Sequence, residues 1–120
     1  MNLSSTGDPL SPLDLSLRAD KVRSEISDRE ALVTMGPSDV QWLTGFTGSN
    51  GIVYLDHEKF ILLTDKRYEE QGPQQIRESC SSAEVMISKT PIEDIPILAL
   101  NKIIKVDPNL TTWRAALQLE

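Results

Sequence analysis

The sequence predicts a three-layer α/β domain in which a mixed, mostly parallel sheet lies between helices. Segments with helical spacing of apolar residues alternate with short β-rich runs, and such alternation is typical of parallel α/β sheets. Two of the runs are separated only by residues 56–58, a spacing that suits an antiparallel hairpin and makes the sheet mixed. The 120 residues, 39% of them hydrophobic, fit one globular domain.

Charge and residue usage exclude several classes of function. The formal net charge of −6 disfavours the basic surface that nucleic acids require. A metal site with two imidazoles is excluded because His57 is the only histidine. Cys80 has no partner for a disulfide and no apolar run approaches the ~18 residues of a membrane span, so we expect a cytoplasmic chain that has no membrane partner.

The first ten residues and the first helix are predicted from capping signals. Residues 1–10 lack periodicity and are expected to form a flexible leader, which leaves 11–120 as the folded domain. Ser11 suits an N-cap and Pro12 the first helical position, so a helix is predicted to start there and to end near Ser27. Its buried face is defined by apolar residues spaced four, three and four apart: Leu15, Ala19, Val22 and Ile26.

Three β-rich runs and one short helix follow. The apolar run 31–35 is bounded by charge and by a Gly-Pro pair, which favours a buried strand. Pro37 then opens a short helix that Gly45 closes. The runs 52–55 and 59–64 form the predicted hairpin.

The second half of the chain repeats the alternation. Residues 68–79 are polar enough for an exposed helix, although Pro73 predicts a kink or a division into two pieces. Residues 84–88 form the next strand, and 90–93 read as a capping box that starts another helix. Pro96 is expected to limit that helix. A last strand is predicted at 103–106, and a final helix is capped by Thr111 or Thr112.

The most distinctive segment is a loop, residues 45–51, with glycines at i, i+3 and i+6. These glycines permit positive φ or close approach of the backbone at regular intervals. The loop leaves a helix and enters a strand, opposite to a dinucleotide-binding loop. It also fails as a hydrolase nucleophile elbow around Ser49, because Thr47 occupies the position of the first glycine. A purely structural loop and a binding loop both remain open.

Two motifs together resemble a known family. The sequence W-L-T-G-F-T-G-S-N-G at 42–51 is followed by the hairpin and by T-D-K-R-Y at 64–68. This arrangement resembles the amino-terminal domain of the creatinase, prolidase and Xaa-Pro aminopeptidase family over residues 14–107. Lys66 replaces the glycine that is common in the T-D-G-R-Y motif of that family.

The resemblance implies a ribonuclease-H-like fold and a non-catalytic role. Family members hold two divalent ions, typically manganese, cobalt or zinc, on a carboxy-terminal pita-bread domain that nothing in this sequence matches. We therefore expect a chain truncated before that domain, with no cofactor, metal ligand or catalytic residue of its own. The parent would be a metal-dependent Xaa-Pro dipeptidase or aminopeptidase that acts on proline-containing peptides as a homodimer or higher oligomer.

The resemblance also suggests substrate-binding residues. Arg67 corresponds to a peptide-contacting arginine, and its planar guanidinium suits a carboxylate or carbonyl. Its alternative role is an ion pair with Asp65 or another acid that fixes the turn from strand to helix. Thr47, Ser49 and Asn50 are expected to line the cleft entrance, and the alternative is that they form hydrogen bonds only within their own loop.

Two rival functions accompany this hypothesis. A peptidase-like domain without its catalytic half can act as a stand-alone peptide- or protein-binding module. A ribonuclease-H-like layout could also serve a magnesium-dependent nuclease, but the acidic balance and the lack of an evident carboxylate cluster count against it.

Overall fold

The computed structural model describes residues 14–105, which form five strands and four α-helices. In chain order these are α1 (Arg18–Arg23), β1 (Glu30–Thr34), α2 (Pro37–Thr44), β2 (Gly51–Leu55), β3 (Phe60–Thr64), α3 (Gln71–Glu78), β4 (Glu84–Ile87), α4 (Pro91–Leu98) and β5 (Ile103–Lys105). A short 3₁₀ helix, Lys66–Tyr68, precedes α3. The predicted leader and the predicted helix after residue 110 lie outside the described residues.

The five strands form one sheet in the order β4-β3-β2-β1-β5. β2 pairs antiparallel with both β1 and β3, whereas β1/β5 and β3/β4 are parallel pairs. Of these five strands, four therefore run in one direction and β2 runs against them. This arrangement confirms the predicted mixed, mostly parallel sheet with its hairpin.

Both faces of the sheet are covered, which confirms the three predicted layers. α1, α2 and α3 pack on one face, and the buried side chains there include Val53, Leu55 and Leu62. α4 packs on the other face, against Ile52, Tyr54 and other side chains. Neighbouring residues of β2 thus alternate between the two cores, as the two-residue period of a strand requires.

The first helix is shorter than predicted. Leu15, Ala19 and Val22 are buried as expected, but α1 spans only six residues. The backbone N–H of Leu15 donates to the carbonyl of Ser79 at the end of α3, at 2.8 Å, so the chain entering α1 is tied to a neighbouring element instead of continuing the helix. At the other end, the Ser24 hydroxyl bonds the carbonyl of Lys21 at 2.6 Å, which competes with further helical turns.

The two interior prolines behave differently from the prediction. The segment 66–78 is in two pieces, but the break at residues 69–70 precedes Pro73, which lies in the first turn of α3 where a missing N–H leaves no hydrogen bond unmade. α4 continues through Pro96 to Leu98 instead of ending there. Pro96 is exposed, so the carbonyl that it leaves without a helical donor can meet water.

Candidate functional site

The glycine-rich loop lies at the carboxyl end of β3 because β2 runs against its neighbours. Gly51 at the start of β2 is paired with Thr64 at the end of β3. The hydroxyl of Thr64 also donates to the carbonyl of Asn50, which joins the loop to the strand end. Residues 45–50 and the T-D-K-R-Y motif are thereby brought together.

Two of the glycines have distinct structural causes. Gly45 ends α2 in the left-handed conformation, with φ of +80°, as predicted from its position. Gly48 instead allows close approach, since a Cβ there would lie 2.2 Å from Cζ of Phe46. The Phe46 ring is 1% exposed and meets the Tyr68 ring edge to face at 5.2 Å between centroids. The loop is therefore shaped around a buried aromatic side chain.

Arg67 and Asp65 form a bidentate ion pair. Nε of Arg67 donates to Oδ1 at 2.9 Å and Nη2 donates to Oδ2 at 2.7 Å, while the Arg67 backbone N–H caps the turn through Oδ1 at 3.0 Å. The bonds from the Arg67 side chain, followed by one from Asn50, lower the pKa of the Asp65 carboxyl far below its ordinary value. The Asp65 side chain raises the pKa of Arg67 in return.

The guanidinium keeps donors that face away from this pair. Its side chain is 65% exposed, and within residues 14–105 its Nη1 group has no hydrogen-bond partner. The guanidinium carbon lies 5.1 Å from the centroid of the Tyr68 ring. Asp65 thus fixes one edge of the guanidinium and leaves the other edge able to bind a ligand oxygen.

The other predicted site residues divide into two groups. Asn50 donates to Oδ2 of Asp65 at 2.7 Å, and the Ser49 hydroxyl lies 2.7 Å from that of Tyr68, a contact that lowers the pKa of Tyr68. Both therefore share partners or neighbours with Arg67. Thr47 is held elsewhere, since its N–H and hydroxyl both bond the side chain of Gln75 on α3, at 3.0 and 2.9 Å.

A cavity of about 510 Å³ opens at the carboxyl ends of the parallel strands β3 and β4. Ligands of open α/β sheets commonly bind at such strand ends. The backbone N–H of Ser88 donates to the carbonyl of Thr64 at 2.8 Å and holds the two strand ends together. The residues that line the cavity are Asp65, Lys66, Arg67, Ile87, Ser88 and Lys89.

The sequence did not predict the site residues at the end of β4. Ile87, Ser88 and Lys89 carry no motif, and their place in the cavity depends on the parallel pairing of β4 with β3. A prediction that these strands are parallel neighbours would have brought their carboxyl ends to one edge. The sequence alone does not give the order of strands in the sheet.

The described residues do not fit the two-metal site of the resembled peptidases. Within 14–105 no group of three or more His, Cys, Asp or Glu side chains could hold an ion. His57 is exposed at the hairpin and its Nε2 lies 2.7 Å from the carbonyl of Ile26. The buried carboxylate of Asp56 accepts from the Tyr54 hydroxyl and from two backbone N–H groups.

The described part of the chain also has no helix long and apolar enough to cross a membrane.

Fold and site together define an α/β domain with a candidate ligand-binding site. A three-layer α/β scaffold presents an oriented arginine and a cationic cavity at the ends of two parallel strands, without a metal centre in the described residues. The chain belongs to the creatinase/prolidase N-terminal domain family, whose family model matches residues 18–120.

Relatives and solved structures agree with this membership. The chain is 27% identical over 125 residues to a probable Xaa-Pro aminopeptidase P of Pyrenophora teres f. teres, an alignment that covers 86% of this chain and 18% of the relative. The chain thus spans about a fifth of the length of the curated relatives it matches.

Two solved structures illustrate the shared fold. The N-terminal domain of the cytoplasmic peptidase PepQ from Mycobacterium tuberculosis superposes with a TM-score of 0.63 and 25% identity, over 83% of this chain and 79% of that one. The X-prolyl aminopeptidase of Caenorhabditis elegans, a cytosolic enzyme with a di-nuclear active site, gives 0.57 and 23%, over 84% of this chain and 21% of that one.

Proposed function

We propose that this chain is the positioning domain of a metal-dependent Xaa-Pro dipeptidase or aminopeptidase and does not itself break peptide bonds. The single observation that carries the proposal is the Arg67–Asp65 pair in the lining of a cavity. An arginine held along one edge keeps its position without a ligand, so little conformational entropy is lost when a peptide binds.

The ligand in this proposal is a proline-containing peptide. The exposed Nη1 group of Arg67 donates to a peptide carbonyl or carboxylate, and Ser49 and Asn50 hold the loop that borders the arginine. Thr47 fixes the same loop to α3. The hydrolytic step, with two divalent ions such as manganese, cobalt or zinc, belongs to a carboxy-terminal domain of the parent.

Assembly and location complete the proposal. We infer a homodimer or higher oligomer from large aliphatic side chains that are exposed on α4 and beyond it, since burial of such side chains favours association. They include Ile97, Leu100 and Ile103. We place the parent in the cytoplasm because the two solved relatives described above are a cytoplasmic and a cytosolic enzyme.

A peptide titration tests the role of Arg67. Adding Ala-Pro-Ala-NH₂ to the ¹⁵N-labelled chain should shift the amide signals of Asn50, Lys66 and Arg67. Arg67→Lys keeps the charge but loses the fixed planar group, and we expect its Kd to rise about five- to tenfold. Arg77→Lys, an equal change at an exposed position of α3, is the matched control and should bind as the wild type does.

Three results would contradict the proposal. If Arg67→Lys leaves peptide binding unchanged, Arg67 does not contact the peptide. If no amide signal around residues 47–67 shifts, the peptide does not bind at this site. Release of alanine from Ala-Pro-Ala by this chain with added Mn²⁺, Co²⁺ or Zn²⁺ would show that the domain is catalytic.

The stand-alone binding module predicts the same titration. The reading frame beyond Glu120 separates the two, because the peptidase requires two Asp, one His and two Glu as metal ligands in the following domain. If those ligands are missing or substituted, the binding module is the better description.

A further inference from the structure

The cavity that Arg67 lines also has two lysine side chains, which the proposed contact between Arg67 and the peptide does not use. We propose that Lys66 and Lys89 form an anion-accepting subsite, so that the domain favours proline-containing peptides that also carry a glutamate or aspartate. This inference rests on the proposed function and adds the chemical class of its substrate.

The two lysines are unengaged in the described structure. Both are exposed, and within residues 14–105 neither forms an ion pair or a side-chain hydrogen bond. Lys102 and Lys105, in contrast, each lie within 4.0 Å of a glutamate. Lys66 and Lys89 therefore keep their full donor capacity for a ligand.

The sheet brings the two lysines to one opening. Thr64 and Ile87 are paired in the parallel register of β3 and β4, and each lysine follows its paired residue by two positions. Neighbouring strands lie about 4.8 Å apart, so the two backbones leave the sheet side by side. Both residues line the same cavity of about 510 Å³, a volume that suits a short peptide segment.

The charge of the lining favours a carboxylate. The cavity carries three cationic side chains and one carboxylate, although the whole chain has a formal net charge of −6. That carboxylate, on Asp65, is already bound by Arg67 and Asn50. The uncompensated charge comes from the lysines, while Ile87, 40% exposed, offers an apolar surface to the rest of the ligand.

The test compares peptides that differ only in charge. Binding of Ala-Pro-Glu-Glu-NH₂ and Ala-Pro-Gln-Gln-NH₂ to the 120-residue chain is measured by amide shifts in 20 mM and 300 mM NaCl. We expect the glutamate peptide to bind about three- to tenfold more tightly at low salt, with the preference falling at high salt. The double variant Lys66→Gln/Lys89→Gln should bind both peptides equally.

A matched control isolates the position of the charge. Lys59 is exposed at the opposite end of β3 and forms no ion pair within residues 14–105. Lys59→Gln removes the same charge and should keep the preference. A third peptide, Ala-Pro-Gln-Gln with a free carboxyl terminus, distinguishes an acidic side chain from a chain-terminal carboxylate and should bind less tightly than the glutamate peptide.

Each other outcome overturns the inference. Equal binding of both amidated peptides would show that the two lysines form no anion-accepting subsite, but it would not contradict the role of Arg67. A preference that survives in the double variant, or disappears in Lys59→Gln, assigns the effect to the general field of the chain. Tight binding of only the free-terminus peptide replaces the side-chain carboxylate by a terminal one, and absence of all binding refutes the proposed function as well.

Discussion

At the scale of single residues, Asp65 organises the site. Its two carboxylate oxygens accept bonds from the Arg67 side chain, the Arg67 backbone and Asn50. One carboxylate thus joins the glycine-rich loop, the 3₁₀ turn and the arginine. The structural and functional roles considered for Arg67 are compatible, because the ion pair uses one edge of the guanidinium and leaves the other exposed.

Asp65→Asn should destabilise the chain at neutral pH and lose that effect in acid. Asparagine can keep the cap through its single amide oxygen, but it removes the charge that binds Arg67 and replaces the oxygen that accepts from Asn50 by an NH₂ donor. The pKa of Asp65 is lowered in the fold, so its contribution is full above the unfolded value near 3.8 and is lost as the pH falls through the folded value. Urea unfolding at pH 7, 4 and 2.5 should show a gap between wild type and variant that narrows toward acid.

The comparison needs an exposed acid as its control. Asp20→Asn removes a carboxylate that is 67% exposed and pairs with Arg23 at 3.0 Å, so we expect a smaller loss at pH 7. A gap for Asp65→Asn that stays constant from pH 7 to 2.5 would show that the ion pair with Arg67 contributes nothing to folding.

At the scale of secondary-structure elements, glycine chemistry positions the loop. The left-handed end of α2 turns the chain so that Phe46 enters the core directly after the helix. The Thr44 side chain supports the turn by accepting from the Phe46 N–H at 3.1 Å. The helix end and the loop therefore form one unit with the site.

Gly45→Ala tests that unit. A Cβ at residue 45 would lie 1.8 Å from Oγ of Ser79, and φ of +80° is strained for alanine. We expect a loss of about 1–3 kcal/mol in the free energy of unfolding, measured by urea denaturation. Gly72→Ala in the first turn of α3 is the control, since a Cβ there meets Val85 at an ordinary 3.5 Å and should stabilise by up to about 1 kcal/mol. Equal losses for the two variants would contradict the role of the left-handed turn.

Elements were more predictable than the contacts between them. The strands of the hairpin and the end of α2 at Gly45 follow from local patterns, and the structure confirms them. The extent of α1 did not follow, because the bond between Leu15 and Ser79 joins residues far apart in sequence. Asp56 was expected at a turn, but its burial depends on the hydroxyl of Tyr54, and a turn signal does not reveal such a partner.

At the scale of the whole molecule, three segments distant in sequence meet at the candidate site. The loop 45–50 leads into the reversed strand β2, residues 64–68 begin at the last residue of β3, and 87–89 begin at the last residue of the parallel strand β4. The first two segments carried recognisable motifs and were predicted to act together. The third depended on strand order, which explains why Lys89 appeared only in the structure.

The whole chain should fold without metal ions. Its sheet is buried on both faces by its own helices, and residues 14–105 bring together no group of His, Cys, Asp or Glu side chains that could hold an ion. A site with a Kd of about 10 µM would add ~2.7 kcal/mol of stability at 1 mM ion, which is a rise in Tm on the order of 10 °C for a chain of this size. We therefore expect thermal unfolding with 1 mM Mn²⁺, Co²⁺ or Zn²⁺ to give the same Tm as with EDTA, within about 1 °C. A rise of several degrees with one of these ions would place a metal site within these 120 residues, and the division of labour between a positioning domain and a separate catalytic domain would then be wrong.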